Sequence, residues 1–233
     1  MVSHIRKRRI WLWCIASFMV YACFNGLAMP IYPGGTSSES DAQGYRFLEN
    51  FFSDLGMVRT YGGQPNTGSL LLFASALVWM GTAFILFSAT MPGYFTASRL
   101  ERAASRVGSI GGVLAGLSCV GIAVTPWDLY LSAHLLFVYL LSMSFLLAVV
   151  GYFVAIWANR SYPNAYAAVF AVYTIILGVY MGLMFLGPDA GTSEGLVILA
   201  AGQKIVIYAG MACWFVQFLG AYQYHEQHHQ ERL

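Results

Sequence analysis

The sequence predicts an all-α fold, an integral membrane bundle of six transmembrane helices in a single domain. Three observations carry that reading. Only 9% of the 233 residues are charged, whereas a soluble domain carries about 25%. Apolar residues make up 58% of the chain, and they gather in runs of about 20, the length that crosses the hydrocarbon core of a bilayer. Basic residues alternate between loops as the positive-inside rule requires. With so few charges the chain could not cover a globular surface, so lipid must be its solvent.

Helix 1 is expected over residues 10–32. It follows the basic start Arg6, Lys7, Arg8 and Arg9. The run exceeds the 7–15 residues of a signal-peptide core and no A-x-A site follows it. Pro30 and Pro33 mark its end, since proline lacks the donor that a continuing helix needs.

The longest polar segment comes next, and polar chemistry concentrates from Asn50 to Phe73. Phe47, Leu48, Phe51, Phe52 and Leu55 recur at three- and four-residue spacing. That spacing predicts a short outer amphipathic helix over 45–57, lying at the membrane interface between helices 1 and 2 and closed by Gly56. Helix 2 is expected over 67–91 and stops at Pro92-Gly93.

Helix 3 is expected over 107–124. Gly108, Gly112 and Gly116 form a ladder of small residues, with Gly111 and Gly121 nearby. Such ladders let helix backbones approach closely in lipid, so helix 3 is expected to be the central packed helix; the alternative is a glycine face held open for a ligand. Helix 4 is expected over 129–157, after the turn Thr125-Pro126-Trp127-Asp128. Helix 5 is expected over 165–186, with Gly178 and Gly182 as a second small-residue pair. Helix 6 is expected over 196–222, followed by a polar tail.

Six spans put both termini on one side. That side would hold Arg6, Lys7, Arg8, Arg9, Arg99, Arg102, Arg106, Arg160 and Arg232, against only Arg46 and Arg59 on the other. Nine against two predicts cytoplasmic termini, with the 34–66 segment, the Trp127 turn and the 187–195 loop facing outward.

The net charge is +2 and no basic stripe with interleaved aromatics appears, which excludes nucleic acid as a partner. Cys14, Cys23, Cys119 and Cys213 lie in apolar runs without a C-x-x-C pair. They read as small packing residues, not as a disulfide framework or a zinc ribbon. His225 and His229, at i and i+4, have a spacing that can bind a metal, but an ordinary solvated tail is the plainer reading. No metal and no cofactor is expected.

Two polar residues fall inside expected spans. His134 and Lys204 reach a similar depth, roughly 9–12 Å below the outer boundary at 1.5 Å per residue. A lysine at mid-helix costs about 2.5–3.5 kcal/mol on insertion scales. The pair is expected to line one pocket between helices 2, 4 and 6, near Gln203, Asn66 and Ser69. The plainer alternatives are a lysine that snorkels outward and a histidine satisfied by packing. Asp54 and Arg59 read as a surface salt bridge or a helix cap, and Asp128 as the cap of helix 4. The candidate ligand-binding residues are thus Ser53, Asp54, Arg59, Asn66, Asp128, His134, Gln203 and Lys204.

Phe52-Ser53-Asp54-Leu55-Gly56, then Asn66, Ser69 and Phe73 at the head of helix 2, together with His134, resemble the prokaryotic membrane family called domain of unknown function 998. That family more commonly has glutamate where Asp54 stands and isoleucine where Phe52 stands. The pattern is also distantly similar to six-helix DRAM-like and GPI-lipid-remodelling membrane proteins. The resemblance implies the six-span layout and a prokaryotic inner (plasma) membrane, but no settled activity. A more distant likeness is to the membrane hydrolases that include alkaline ceramidases, which use one serine, one aspartate and three histidines around zinc. Here only His134 lies on the Ser53–Asp54 side, so three histidine ligands cannot be assembled and a zinc hydrolase of that design is not expected.

Three functions stay open. The first is binding or remodelling of an outer-leaflet lipid, with the His134–Lys204 pocket recognising an anionic head group. The second is an accessory or structural subunit, packed through helices 3 and 5 against another membrane protein. The third, least favoured because no broken mid-membrane helix appears, is a small proton-coupled transporter. The sequence names no reaction.

Overall fold

In this computed structural model residues 2–230 are described, with side chains from 5 to 227. The helices are α1 (Val2–Ile31), α2 (Thr67–Thr90), α3 (Arg99–Val124), α4 (Trp127–Ala158), α5 (Asn164–Leu186) and α6 (Ser193–Gln230). All six are long and apolar enough to cross a membrane. Among the described residues there is no strand, only two isolated bridges, Gly34 to Gln43 and Arg59 to Pro65. Each helix packs on its successor and α6 returns to α1, so the six close into a ring in chain order.

Three helices run further than their apolar stretches. The start of α3 at Arg99 is set by a cap: Ser98 Oγ accepts from the Glu101 amide at 3.0 Å. The Glu101 carboxylate accepts from the Ala97 amide and from Asn159 Nδ2. This is close to a capping box, and it also ties the turn after α4 to the head of α3. The ends of α1 and α6 hold one another. Trp11 Nε1 donates to Tyr94 OH, which shares a hydrogen bond with His225 Nδ1 at 3.0 Å, and Arg8 pairs with Glu226 at 3.5 Å. The expected solvated tail is therefore helix through Gln230, with His225 buried in it. The side chain of His229 lies outside the described residues, as does Arg232.

Residues 32–66 form a strap across the other end of the ring. The short helix expected between helices 1 and 2 is present, but it is confined to a 3-10 helix, Phe52–Gly56, with a turn before it where 45–51 was expected to be helical. Side chains compete for its backbone, which is how Asn and Asp break helices. Asn50 Oδ1 takes the Arg46 amide at 2.9 Å, and Asp54 Oδ2 takes the Phe51 amide at 2.9 Å. Gly35, at φ +92, makes the tight turn at which a side chain would be strained.

The glycine ladder of α3 is consumed inside the ring. A Cβ at Gly112 would overlap the Ser88 side chain of α2, and one at Gly116 would meet the Gly81 carbonyl. On the opposite face, a Cβ at Gly111 would lie 2.6 Å from the Ala148 amide of α4, and one at Gly108 3.0 Å from Tyr152. More of the α3 span is buried than of any other, 56% against 22% for α1 and α5. Gly178 and Gly182 of α5 differ: no heavy atom stands within 4 Å of a Cβ at either. Gly112→Leu should therefore cost at least the roughly 1–3 kcal/mol of an overpacked core. Leu117→Phe, on the exposed side of the same helix, should leave the melting temperature near wild type. Thermal melts of the two purified variants check this, and equal tolerance would remove α3 from the packed centre.

Candidate functional site

The site is built by the strap. Its backbone passes into the ring end, where polar groups need partners, and side chains from three helices supply them. From α2, Asn66 Nδ2 donates to the Leu55 and Met57 carbonyls and Ser69 Oγ to the Leu55 carbonyl, all at 3.0 Å. From α4, the Asp128 carboxylate accepts the Val58 and Arg59 amides at 3.0–3.1 Å. From α6, Gln203 Oε1 accepts the Phe52 amide at 2.7 Å, and Lys204 Nζ donates to the Asn50 carbonyl. Gly56 rests on Phe73: a Cβ there would lie 2.6 Å from the ring.

Lys204 is 2% exposed. Its ammonium sits among the Tyr45, Phe47 and Phe52 rings at 5.4, 5.2 and 5.8 Å, an arrangement that stabilises a desolvated cation. Asp54 is buried beside it, with Oδ2 accepting from Asn50 Nδ2 and the Phe51 amide. Burial pushes the Asp54 carboxyl up to about 6, against the opposing pull of those hydrogen bonds and of the Lys204 charge. Asp54 and Arg59 form no ion pair: Arg59 is exposed and its Nη1 donates to the Gly63 carbonyl. Asp128 holds the strap in place of capping its own helix.

Beneath the strap the ring lines a partly open cavity of about 150 Å³, roughly ten times what one water needs. Its lining runs from Phe73 to Phe84 on α2, His134 to Phe145 on α4 and Gln203 to Trp214 on α6. Each stretch spans about 17 Å along its helix, close to half of the roughly 30 Å hydrocarbon core. Phe52 and Ser53 form the roof. The far end is filled by rings: Trp214 lies 4.9 Å from Phe84, 5.7 Å from Phe145 and 5.5 Å from Phe170. The cavity thus runs about half the depth of the hydrocarbon core and ends on aromatics toward the end where the termini lie.

His134 lines this cavity and Lys204 does not. The two costly residues share a level but not a space, because Lys204 is turned up into the strap. No aspartate, glutamate, lysine or arginine contributes to the lining. Of the candidate residues, Ser53, His134 and Gln203 reach the cavity. Asp54, Asn66, Asp128 and Lys204 hold its roof, and Arg59 lies outside. Tyr21, Tyr173 and Tyr180 also line it and were missed by the sequence reading. The seven-residue interval from Tyr173 to Tyr180, two turns on one face of helix 5, was the available signal. Among the described residues no group of three or more His, Cys, Asp or Glu could hold a metal.

The raised carboxyl of Asp54 gives a signed pH effect. Its proton is held more tightly in the fold than the ordinary value of 3.8. The folded chain therefore binds more protons between those two values. This contribution to stability is full below pH 3.8 and is lost as the pH rises through about 6, amounting to about 3 kcal/mol at most. Asp54→Asn should flatten the melting temperature across that interval, and an unchanged slope would show that Asp54 is not its source.

Neither a family model, nor a curated protein, nor a solved structure matches this chain, so what it does has to be argued from the roofed cavity itself.

Proposed function

We propose that this integral membrane protein binds or remodels an outer-leaflet lipid by holding its hydrocarbon part in the roofed cavity. One observation carries the reading: a cavity about one leaflet deep, lined mainly by apolar side chains and by no charged one among the described residues, with Ser53, His134 and Gln203 at the strap end and aromatics at the other. The nine-to-two distribution of basic residues supports placing the strap outside and both termini in the cytoplasm. The likeness to the prokaryotic domain of unknown function 998 rests on residues that build the roof, including Ser53, Asp54, Gly56, Asn66 and Ser69. It supports an inner (plasma) membrane location. An anionic head group finds no cation in the cavity, since Lys204 is engaged by the strap. The aromatic layer speaks against a proton-coupled transport path.

A second reading, an accessory subunit, is favoured at α5 alone. The glycines of α3 are already covered by α2 and α4, while Gly178 and Gly182 are open beside exposed Ile175 and Val179. A partner helix would pack there.

Filling the cavity tests the first reading. Ile207→Trp and Val138→Trp both place bulk in the lining. Lipid that co-purifies with the wild type, read by native mass spectrometry, should fall sharply in both variants at unchanged folded yield. An unaltered lipid complement would overturn the proposal. Topology has its own test. A reporter active only in the cytoplasm should work when fused after Leu233 and be silent when inserted at Ser38 in the exposed part of the strap. Activity at Ser38 would reverse the orientation.

A further inference from the structure

Resting on the lipid-binding reading, the geometry points to a narrower ligand class: an uncharged, single-chain lipid ending in a free hydroxyl, whose O–H donates to His134 Nε2. The tautomer of His134 is fixed by its surroundings. Nδ1 stands 2.7 Å from the Thr125 carbonyl, and a carbonyl only accepts, so Nδ1 carries the proton and donates it. Nε2 of the neutral ring is then a bare acceptor. The side chain is 4% exposed and belongs to the lining, and its Nε2 is buried at the cavity wall without a hydrogen-bond partner, so a hydroxyl reaches it by a small shift of the ring or its neighbours. A buried acceptor without a donor is costly, and a hydroxyl in the cavity is the group that would complete it.

The remaining lining narrows the choice. A carboxylate or phosphate would meet the Nε2 lone pair with no lining cation to offset it, because no charged residue faces the space. A methyl ether would fill the same volume yet leave Nε2 unsatisfied. Ser53 and Gln203 lie at the strap end with His134, Ser142 and Tyr173 lie deeper, and Phe84, Phe145 and Trp214 close the far end around the tail. A space of about 150 Å³ leaves no room for a second chain. Straight-chain and isoprenoid alcohols share this chemistry.

Photo-labelling decides between these outcomes. The purified full chain in nanodiscs is labelled with a diazirine-bearing hexadecanol. Unlabelled hexadecanol, hexadecyl methyl ether, farnesol, farnesyl methyl ether and palmitate serve as competitors. Labelled peptides should map to the 134–145 and 203–214 stretches. The better alcohol should compete about tenfold more strongly than its own ether, as one lost hydrogen bond to a buried acceptor predicts. Palmitate should compete no better than the ether. Whichever alcohol prevails identifies the chain type, and either supports the assignment. Equal potency of alcohol and ether, or stronger competition by palmitate, overturns the hydroxyl while leaving the lipid cavity standing. Absence of competed labelling on both stretches overturns the cavity reading and this one together. His134→Leu should erase the preference for alcohol over ether. Since the comparison of alcohol with ether on the wild type is decisive alone, a misfolded variant would not rescue the proposal.

Discussion

The backbone of residues 50–58 lies where water does not satisfy it, and that constraint organises one end of the molecule. A buried amide or carbonyl without a partner costs about 1–3 kcal/mol. The Asn50 carbonyl therefore draws Lys204, the Phe52 amide draws Gln203, the Leu55 carbonyl draws Asn66 and Ser69, and the Val58 amide draws Asp128. These partners come from three different helices. The strap consequently fixes α2, α4 and α6 relative to one another at the mouth of the ring. A cavity that must keep its shape needs such a brace, because lipid supplies no hydrophobic force to press the helices together.

The other end is held by bulk. Phe84, Phe87, Trp214, Phe170 and Tyr152 meet in four edge-on pairs and one stacked pair with centroids between 4.9 and 6.0 Å. Aromatic pairs of this geometry add roughly 0.5–1.5 kcal/mol each beyond the area they bury. On the α3 side the same closeness is reached by absence of side chain, with Gly112 and Gly116 set against α2 and Gly108 and Gly111 against α4. Small residues on one wall and large ones at one end leave the unfilled volume in the strap half.

Much of this was legible in the sequence, for reasons that differ by element. The six spans follow from run length and low charge, and α3 was recognisable as the packed helix because its glycines recur every four residues. The polar residues of the strap and its neighbours were recognisable as a group for the same reason that they matter: polar atoms are expensive beside lipid. Their roles were not legible. Asp54, Asn66, Asp128 and Lys204 look alike whether they bind a ligand or a buried backbone. Only the placement of the strap decides, and the strap is irregular. Periodicity found the short helix between helices 1 and 2 but drew it too long, across 45–57, because it counts apolar positions and is blind to Asn50 and Asp54 taking the Arg46 and Phe51 amides. The depth calculation for His134 and Lys204 gave height along the membrane but not direction around the helix axis. It therefore brought together two residues that face different spaces.

That division of directions has a chemical consequence. Lys204 carries a cation at this end of the ring, and the strap takes it out of the cavity by offering a carbonyl, three aromatic faces and the nearby charge of Asp54. Drawing it back to meet an anionic ligand would strip the Asn50 carbonyl of its strongest donor and leave Asp54 buried without its positive neighbour. Each of those losses is several times the net worth of an ordinary hydrogen bond when charge is involved. The roof and an anionic ligand would thus compete for the same ammonium, and the roof holds it by geometry already in place. What remains in the lining from the candidate residues is Ser53, Gln203 and His134, the last with one nitrogen committed to Thr125. The same polar network that closes the cavity therefore also decides the charge of what can enter it.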